Sequence, residues 1–289
     1  MLFPSVPVVV FEILQSYNFK QAYKKKYIIF AQSFNRLKIT FLGTGTSQGI
    51  PIIGSNHPVC LSKNKKDKRL RVSVLLEWEN LTLLIDCGPD FRQQVLRANC
   101  TQIDAVLFTH EHSDHTAGID DLRPFYYRQG DILAYAHERV VKALEKRFGY
   151  IFKTENKYPG VLTFDFKMIK NAPFLIKNKE IIPIQVYHYK LAVFGFRTDD
   201  FAYITDAKTV PDEEIDKLQD LEVLVVNALR KEPHISHFNL EEALAFIELV
   251  KPKKAYLTHI SHHLGFHDEV QKSLPKNVFL AYDELKITI

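Results

Sequence analysis

The stretch Leu107-Phe108-Thr109-His110-Glu111-His112-Ser113-Asp114-His115-Thr116-Ala117-Gly118-Ile119 decides the fold expected of this chain of 289 residues. It begins within an apolar run, residues 105–108, that predicts a buried strand. Imidazoles and a carboxylate then crowd together so closely that they would repel one another without a cation between them. Nitrogen and oxygen ligands suit zinc, manganese or iron, and their alternation predicts two adjacent divalent ions. The predicted ligands here are His110, His112, Asp114 and His115.

The composition is that of a globular protein with a sizeable core. Hydrophobic residues make up 46% of the chain, and the formal net charge is +4. The lysine runs within residues 24–26 and 63–68 are typical of solvated loops, so nucleic acid is not the favoured partner. Three widely spaced cysteines, Cys60, Cys87 and Cys100, argue against a disulfide framework and for a reducing, cytoplasmic location.

Residues 1–36 are interpreted as an N-terminal extension of unknown role, and residues 37–289 as the functional domain. The apolar run of residues 6–14 is interrupted by Pro7 and Glu12. It is too short for a bilayer, which requires about 20 apolar residues. Positive charge follows the run and no small-residue cleavage site appears, so neither a membrane association nor a secretory signal is expected.

Short strands come first in the functional domain, and strands alternate with helices afterwards. Strands are predicted over residues 37–42, 72–77, 81–85, 105–109, 132–136, 161–166, 181–188, 193–197, 201–205, 223–227, 255–258 and 278–281. Helices are predicted over residues 89–97, 137–148, 211–218, 240–250 and 268–274. This order predicts an α/β fold with two sheets and helices on their outer faces, a four-layer αββα sandwich.

Polar residues close several of the predicted apolar strands. In an open sheet, strand ends converge on one edge, where ligands bind. One histidine in such a place is more often structural, but five polar residues in equivalent places favour a shared site. These residues are Asp86, His110, His188, Asp206 and His259.

The five motifs together resemble the metallo-β-lactamase superfamily, whose fold is an αββα sandwich, over nearly all of residues 37–289. The resemblance implies that His110, His112 and His188 hold one ion. It implies that Asp114, His115 and His259 hold the other, with Asp206 bridging the two. It implies further that Asp86 braces the site without binding metal, and we expect Asp114 to take part in catalysis as well.

Within that superfamily, the chain looks most like the phosphodiesterases related to phosphoribosyl 1,2-cyclic phosphate phosphodiesterase. Three features carry this likeness: the glycine-rich segment of residues 41–51, the run of residues 258–262, and the run of residues 237–244. The likeness implies that His237, which opens a helix, is the general acid near the leaving group.

Those relatives also carry a structural zinc on a Cys-x-Cys-x-x-Cys run and a later histidine. Here Ser55, His57 and Cys60 stand at the run, and His262 at the later position. Serine is a poor zinc ligand, but His57, Cys60 and His262 are suited to zinc. Either a third, structural zinc or a loop that packs without metal fits this pattern.

The expected activity is hydrolysis of a small phosphodiester, cyclic ones included, by hydroxide bridging two zinc or manganese ions. The alternatives are a ribonuclease Z-type tRNA 3′-processing endonuclease and a thioester or other ester hydrolase, since a fold does not fix its substrate. The sequence leaves open the native metal, the physiological substrate and whether the chain forms a homodimer.

Overall fold

The computed structural model describes residues 36–153 and 155–289. The interpretation of residues 1–36 as an extension therefore concerns, Arg36 apart, residues outside the described part. No helix in that described part is long and apolar enough to cross a bilayer.

Fourteen strands of the described chain form two sheets of seven strands each. They are β1 (Lys38–Gly43), β2 (Ser73–Trp78), β3 (Leu81–Ile85), β4 (Ala105–Leu107), β5 (Ile132–Ala136), β6 (Phe164–Met168), β7 (Phe174–Ile176), β8 (Lys179–His188), β9 (Leu191–Thr198), β10 (Phe201–Tyr203), β11 (Val223–Asn227), β12 (Lys254–Thr258), β13 (Val278–Leu280) and β14 (Lys286–Thr288).

The strand order is β14-β1-β2-β3-β4-β5-β6 in the first sheet and β13-β12-β11-β10-β9-β8-β7 in the second. In the first sheet, β3 to β6 run parallel to one another. In the second, β10 to β13 do the same. Each sheet therefore gathers the carboxyl ends of several strands along one edge, where ligands bind in sheets of this kind.

Helices lie outside the two sheets. They are α1 (Pro58–Leu61), α2 (Phe91–Ala98), α3 (Ser113–Thr116), α4 (Arg123–Gln129), α5 (Glu138–Arg147), α6 (Gly149–Phe152), α7 (Asp212–Ile215), α8 (Leu240–Val250) and α9 (His267–Ser273).

Alternation of side chains along the strands builds the layers, because neighbouring residues of a strand face opposite sides of its sheet. Leu83 and Val225 belong to the apolar cluster shared by both sheets. Their neighbour Leu84 packs in a second cluster with helix α5, and Val226 packs in a third cluster with helix α8. The result is a helix–sheet–sheet–helix sandwich, so the predicted four-layer αββα fold is confirmed.

Candidate metal centre

The predicted ligands lie where strands of the two sheets end. The first sheet delivers the histidine cluster after β4, partly on the short helix α3. The second sheet delivers the rest: His188 is the last residue of β8, Asp206 follows β10, and His259 follows β12 directly. The site therefore spans the edge at which both sheets meet, as the strand ends predict.

Three of these strand-end residues adopt left-handed backbone conformations. The φ angles are 62° for Asp86, 56° for Asp206 and 53° for His259. Such values are uncommon outside glycine, although aspartate, asparagine and histidine are the other residues most often found there. The chain turns sharply at each of the three, and the turn directs the side chain off the strand end.

The carboxylates and imidazoles of the second predicted metal position converge. One ligand atom from each of four residues lies within 4.8 Å of the others, and the four are Asp114, His115, Asp206 and His259. His115 Nε2 lies 3.2 Å from Asp114 Oδ2 and 3.2 Å from Asp206 Oδ2. His259 Nε2 lies 3.3 Å from Asp206 Oδ1. This grouping agrees with the ligand set that the sequence resemblance implies.

A second group shares Asp206 with the first. Ligand atoms of His188, Asp206 and His237 also lie within 4.8 Å of one another. The His112 ring lies 4.6 Å from that of His110 and 5.2 Å from that of His188, centroid to centroid. Asp206 thus stands between both groups, the position that a bridging ligand requires.

His237 is itself a member of this second group, so its ring lies among the candidate ligands. Its Nε2 is 3.0 Å from Asp206 Oδ1, and its Nδ1 is 3.0 Å from Ser236 Oγ. The ring is therefore placed either to transfer a proton or to bind an ion. Its role as general acid remains a prediction.

Hydrogen bonds at Nδ1 orient two of the imidazoles. His115 Nδ1 lies 2.7 Å from Asp86 Oδ2, and His188 Nδ1 lies 2.8 Å from the Ser236 carbonyl oxygen. Thr109 donates to Asp86 through its backbone N–H and its hydroxyl, at 2.9 and 2.8 Å. A partner on Nδ1 leaves Nε2 free to face the site, which is how such partners fix ligating histidines. Asp86 is therefore placed to brace the site, as the resemblance implies.

Sequence reasoning missed Thr109 and Ser236, although each directly precedes a histidine of the site. It also missed Arg139 and Arg147, which hold the histidine loop from helix α5. Arg139 Nε lies 2.9 Å from Glu111 Oε1, and Arg147 donates to Thr116 Oγ1 at 2.8 Å. A helix face of alternating charge gives no hint of such contacts, because most of these faces are solvated.

The buried carboxylates of the cluster favour a positive charge beside them. Burial alone would lower the pKa of His115, but Asp114, Asp206 and Asp86 outweigh burial and hold that pKa well above its usual value. Burial alone would raise the pKa of Asp206, but His259 and His115 hold it well below its usual range. The carboxylates thus stay ionised and draw a cation to themselves.

Several buried ring nitrogens make no hydrogen bond of normal geometry, which is rare in proteins, although two of them, His115 Nε2 and His259 Nε2, lie close to carboxylate oxygens. The nitrogens concerned are His110 Nε2, His115 Nε2, His259 Nδ1 and His259 Nε2. Unpaired imidazole nitrogens beside ionised carboxylates form the donor set of a zinc or manganese site. The residues present therefore fit divalent metal.

The residues of the predicted third zinc lie near one another without forming a comparable set. The His57 and His262 rings are 4.8 Å apart, and His263 is 5.6 Å from His57, centroid to centroid. His262 Nδ1 is buried without a partner. Within the described chain, however, no group of three ligand atoms that includes Cys60 converges as in the main site. Cys60 packs with Ile50 and Val59, and the third zinc stays a prediction.

This edge of paired sheets, with its cluster of histidines and aspartates, defines a metal-dependent hydrolase fold. The model of the beta-lactamase superfamily domain matches residues 82–260. The chain belongs to the metallo-β-lactamase superfamily.

Two relatives are 36% identical to this chain over the residues that match. A crystal structure of a diphosphatase from the PhnP family has a TM-score of 0.83, and the match covers 88% of this chain and 97% of that one. The octanoyltransferase of Porphyromonas gingivalis matches over 256 residues, 88% of this chain and 52% of that protein. The chain thus spans about half the length of this second relative.

More distant structures share the fold alone. The short form of human tRNase Z has a TM-score of 0.63 at 18% identity, and the match covers 86% of this chain and 98% of that one.

Proposed function

We propose that the chain hydrolyses small phosphodiesters, cyclic ones included, with two divalent ions, zinc or manganese. The observation that carries this proposal is that two groups of converging ligand atoms share Asp206. The first also contains Asp114, His115 and His259, and the second also contains His188 and His237. The likeness to a diphosphatase supports phosphoryl chemistry.

Two divalent ions bound here would activate water as the nucleophile and neutralise charge on the phosphoryl oxygens. His110, His112 and His188 would hold one of them, and Asp114, His115 and His259 the other. Asp206 would serve both. Asp86 and Ser236 keep His115 and His188 turned so that Nε2 faces the site.

His237 would supply the proton that the leaving oxygen requires. Burial lowers the pKa of His237 to about 4, and Asp206 offsets this only in part. A phosphodiester bound beside the ring brings negative charge, which raises that pKa towards the working pH. The proton would sit on Nε2, the nitrogen that faces Asp206 and the site.

The test is a substrate panel with metal analysis. Purified full-length chain, loaded with zinc or with manganese, is assayed on bis-p-nitrophenyl phosphate, cyclic nucleotides, ribose cyclic phosphate and pre-tRNA. Turnover of the small diesters without cleavage of pre-tRNA supports the proposal. Cleavage of pre-tRNA alone would establish the ribonuclease Z alternative.

A second candidate is hydrolysis of an acyl ester or thioester. The observation in its favour is the similarity to the Porphyromonas gingivalis octanoyltransferase. The matched region covers 88% of this chain. An octanoyl thioester added to the same panel separates the two activities, because only one of the two substrate classes should turn over at a rate above background.

A further inference from the structure

One cavity opens directly beside the candidate metal centre. It measures about 570 Å³. The predicted ligands His112 and His188 line it, together with the residues after His188 and the two residues before His237: Tyr189, Lys190, Leu191, Ile235 and Ser236. Its size falls within the range of about 300–1,000 Å³ that is usual for small-molecule pockets. The space lies next to two of the residues that would hold an ion, His112 and His188.

The wall of the cavity exposes large apolar side chains. The Tyr189 side chain is 52% exposed and Ile235 is 66% exposed. Exposed apolar surface at the mouth of a site favours contact with an apolar part of a ligand, because covering it removes that surface from water. A tyrosine ring offers in addition a flat face on which another ring can stack.

The same wall carries one free positive charge. Among the residues that the structure describes, no carboxylate forms an ion pair with Lys190; its Nζ lies 5.3 Å from the centre of the Tyr189 ring. An ammonium group without a carboxylate partner can meet an anionic group of a ligand that lies over that ring.

The two sides of the cavity are tied to the metal position. Tyr189 and Lys190 form the two-residue turn between β8 and β9, where His188 pairs with Leu191. On the other side, the Ser236 carbonyl oxygen accepts the hydrogen bond from His188 Nδ1 at 2.8 Å. His188 thus contacts the turn on one side and Ser236 on the other, and it is also a member of the candidate metal centre.

We propose that this cavity is a specificity subsite for an aromatic group with an additional negative charge, such as a nucleoside phosphate, attached to the reacting phosphate. Tyr189 stacks on the aromatic group, Ile235 covers its edge, and Lys190 meets the second anion. The proposal rests on the proposed function and narrows it to nucleotide-like diesters.

The experiment compares three p-nitrophenyl esters on the metal-loaded chain. Methyl p-nitrophenyl phosphate lacks a second aromatic group. The p-nitrophenyl ester of thymidine 5′-phosphate has one, and the same ester with a 3′-phosphate adds the second anion. The variants are Tyr189→Ala, Tyr189→Phe and Lys190→Ala, with Tyr158→Ala and Lys276→Ala as controls at exposed positions away from the metal centre.

We expect Tyr189→Ala to raise KM for the thymidine esters about tenfold, which is the scale of base–aromatic stacking. It should affect KM for the methyl ester less than KM for the thymidine esters, and Tyr189→Phe should restore KM. We expect Lys190→Ala to raise KM about threefold at low salt for the 3′-phosphorylated ester alone, the scale of an exposed ion pair.

Equal KM values for the thymidine esters in Tyr189→Ala and in the wild-type chain would overturn the subsite and leave the proposed function intact. If the wild-type chain turned over none of the three esters, the proposed function would fail instead. Calorimetry with thymidine 3′,5′-bisphosphate then tests the subsite separately, since it must bind the wild-type chain more tightly than Tyr189→Ala.

Discussion

Asp206 is the side chain that both groups of ligand atoms share. We expect Asp206→Ala to lose both ions, because its carboxylate is the only one common to the two groups found in the described chain. Metal content after dialysis, measured by mass spectrometry, checks this. Asp165→Ala, at an exposed ion pair with Lys167, is the control. Two ions per chain surviving in Asp206→Ala would refute the bridging role.

His237 contacts Asp206, but we propose it as the general acid and not as a metal ligand. We expect His237→Ala to keep both ions and to lose activity by about 10²–10⁴-fold, the usual contribution of a general acid. Metal content and kcat, measured on the same preparation, check the two parts. Loss of an ion from this variant would make His237 a ligand, as its distance to Asp206 permits.

His267 is a buried histidine away from the proposed chemistry. Arg69 Nη2 lies 3.1 Å from its Nδ1, and burial together with Arg69 lowers the pKa of His267 to about 4 from 6.5. Between these pH values the unfolded chain binds more protons than the folded chain, so the stability contributed by neutral His267 is lost as pH falls from about 6.5 to about 4.

The corresponding measurement is urea unfolding of the wild-type chain and of His267→Asn at several pH values. Asparagine keeps an acceptor for Arg69 but does not titrate. We therefore expect His267→Asn to become more stable relative to the wild-type chain as the pH falls. A constant difference across this range would contradict the assignment.

Helix α8 follows His237 by two residues and begins with a capping box. The Asn239 side chain accepts from the Glu242 N–H at 2.9 Å, and Glu242 Oε2 accepts from the Asn239 N–H at 2.9 Å. We expect Asn239→Ala to lower the free energy of unfolding by about 1 kcal/mol. Chemical denaturation checks this, with Glu241→Ala in the same helical turn as the control; equal losses in both variants would contradict a role for the cap.

Most elements could be predicted from the sequence because their patterns are long. Strands β5 and β11 and helix α8 have the predicted limits. Strands β7 and β14 were not predicted; they have three residues each and lie at sheet edges. The equally short β4 and β10 are fully buried apolar runs, whereas β7 and β14 each contain exposed residues and no fully buried apolar run, so their pairing partners decide whether they form.

The candidate ligands could be proposed from the sequence because they lie at or soon after the ends of apolar strands. The contacts that arrange them could not be proposed in this way. The hydrogen bond from His188 to the Ser236 carbonyl oxygen joins residues 48 positions apart, and no local pattern encodes such a pair. The cavity beside Tyr189 depends on the same pairing. Tertiary packing therefore determines which side chains surround the candidate ligands, whereas local sequence patterns point to the candidate ligands themselves.

At the scale of the whole molecule, the candidate site joins the two sheets. We expect chelation of the ions to lower the melting temperature, because a ligand that binds only the folded chain adds about 4 kcal/mol at a thousand times its Kd. Calorimetry with and without chelator, followed by re-addition of zinc or manganese, measures the effect. The same treatment should leave the melting temperature of Asp206→Ala unchanged; an equal shift there would point to metal bound elsewhere.

The division of ligands between the sheets has a consequence for a chain cut between β6 and β7. One fragment would carry the histidine cluster of residues 110–115, and the other would carry His188, Asp206 and His259. Neither fragment alone would carry all the proposed ligands of either ion. The ions would then act as a reversible cross-link between two polypeptides, and the free metal concentration would set how firmly the fragments reassociate.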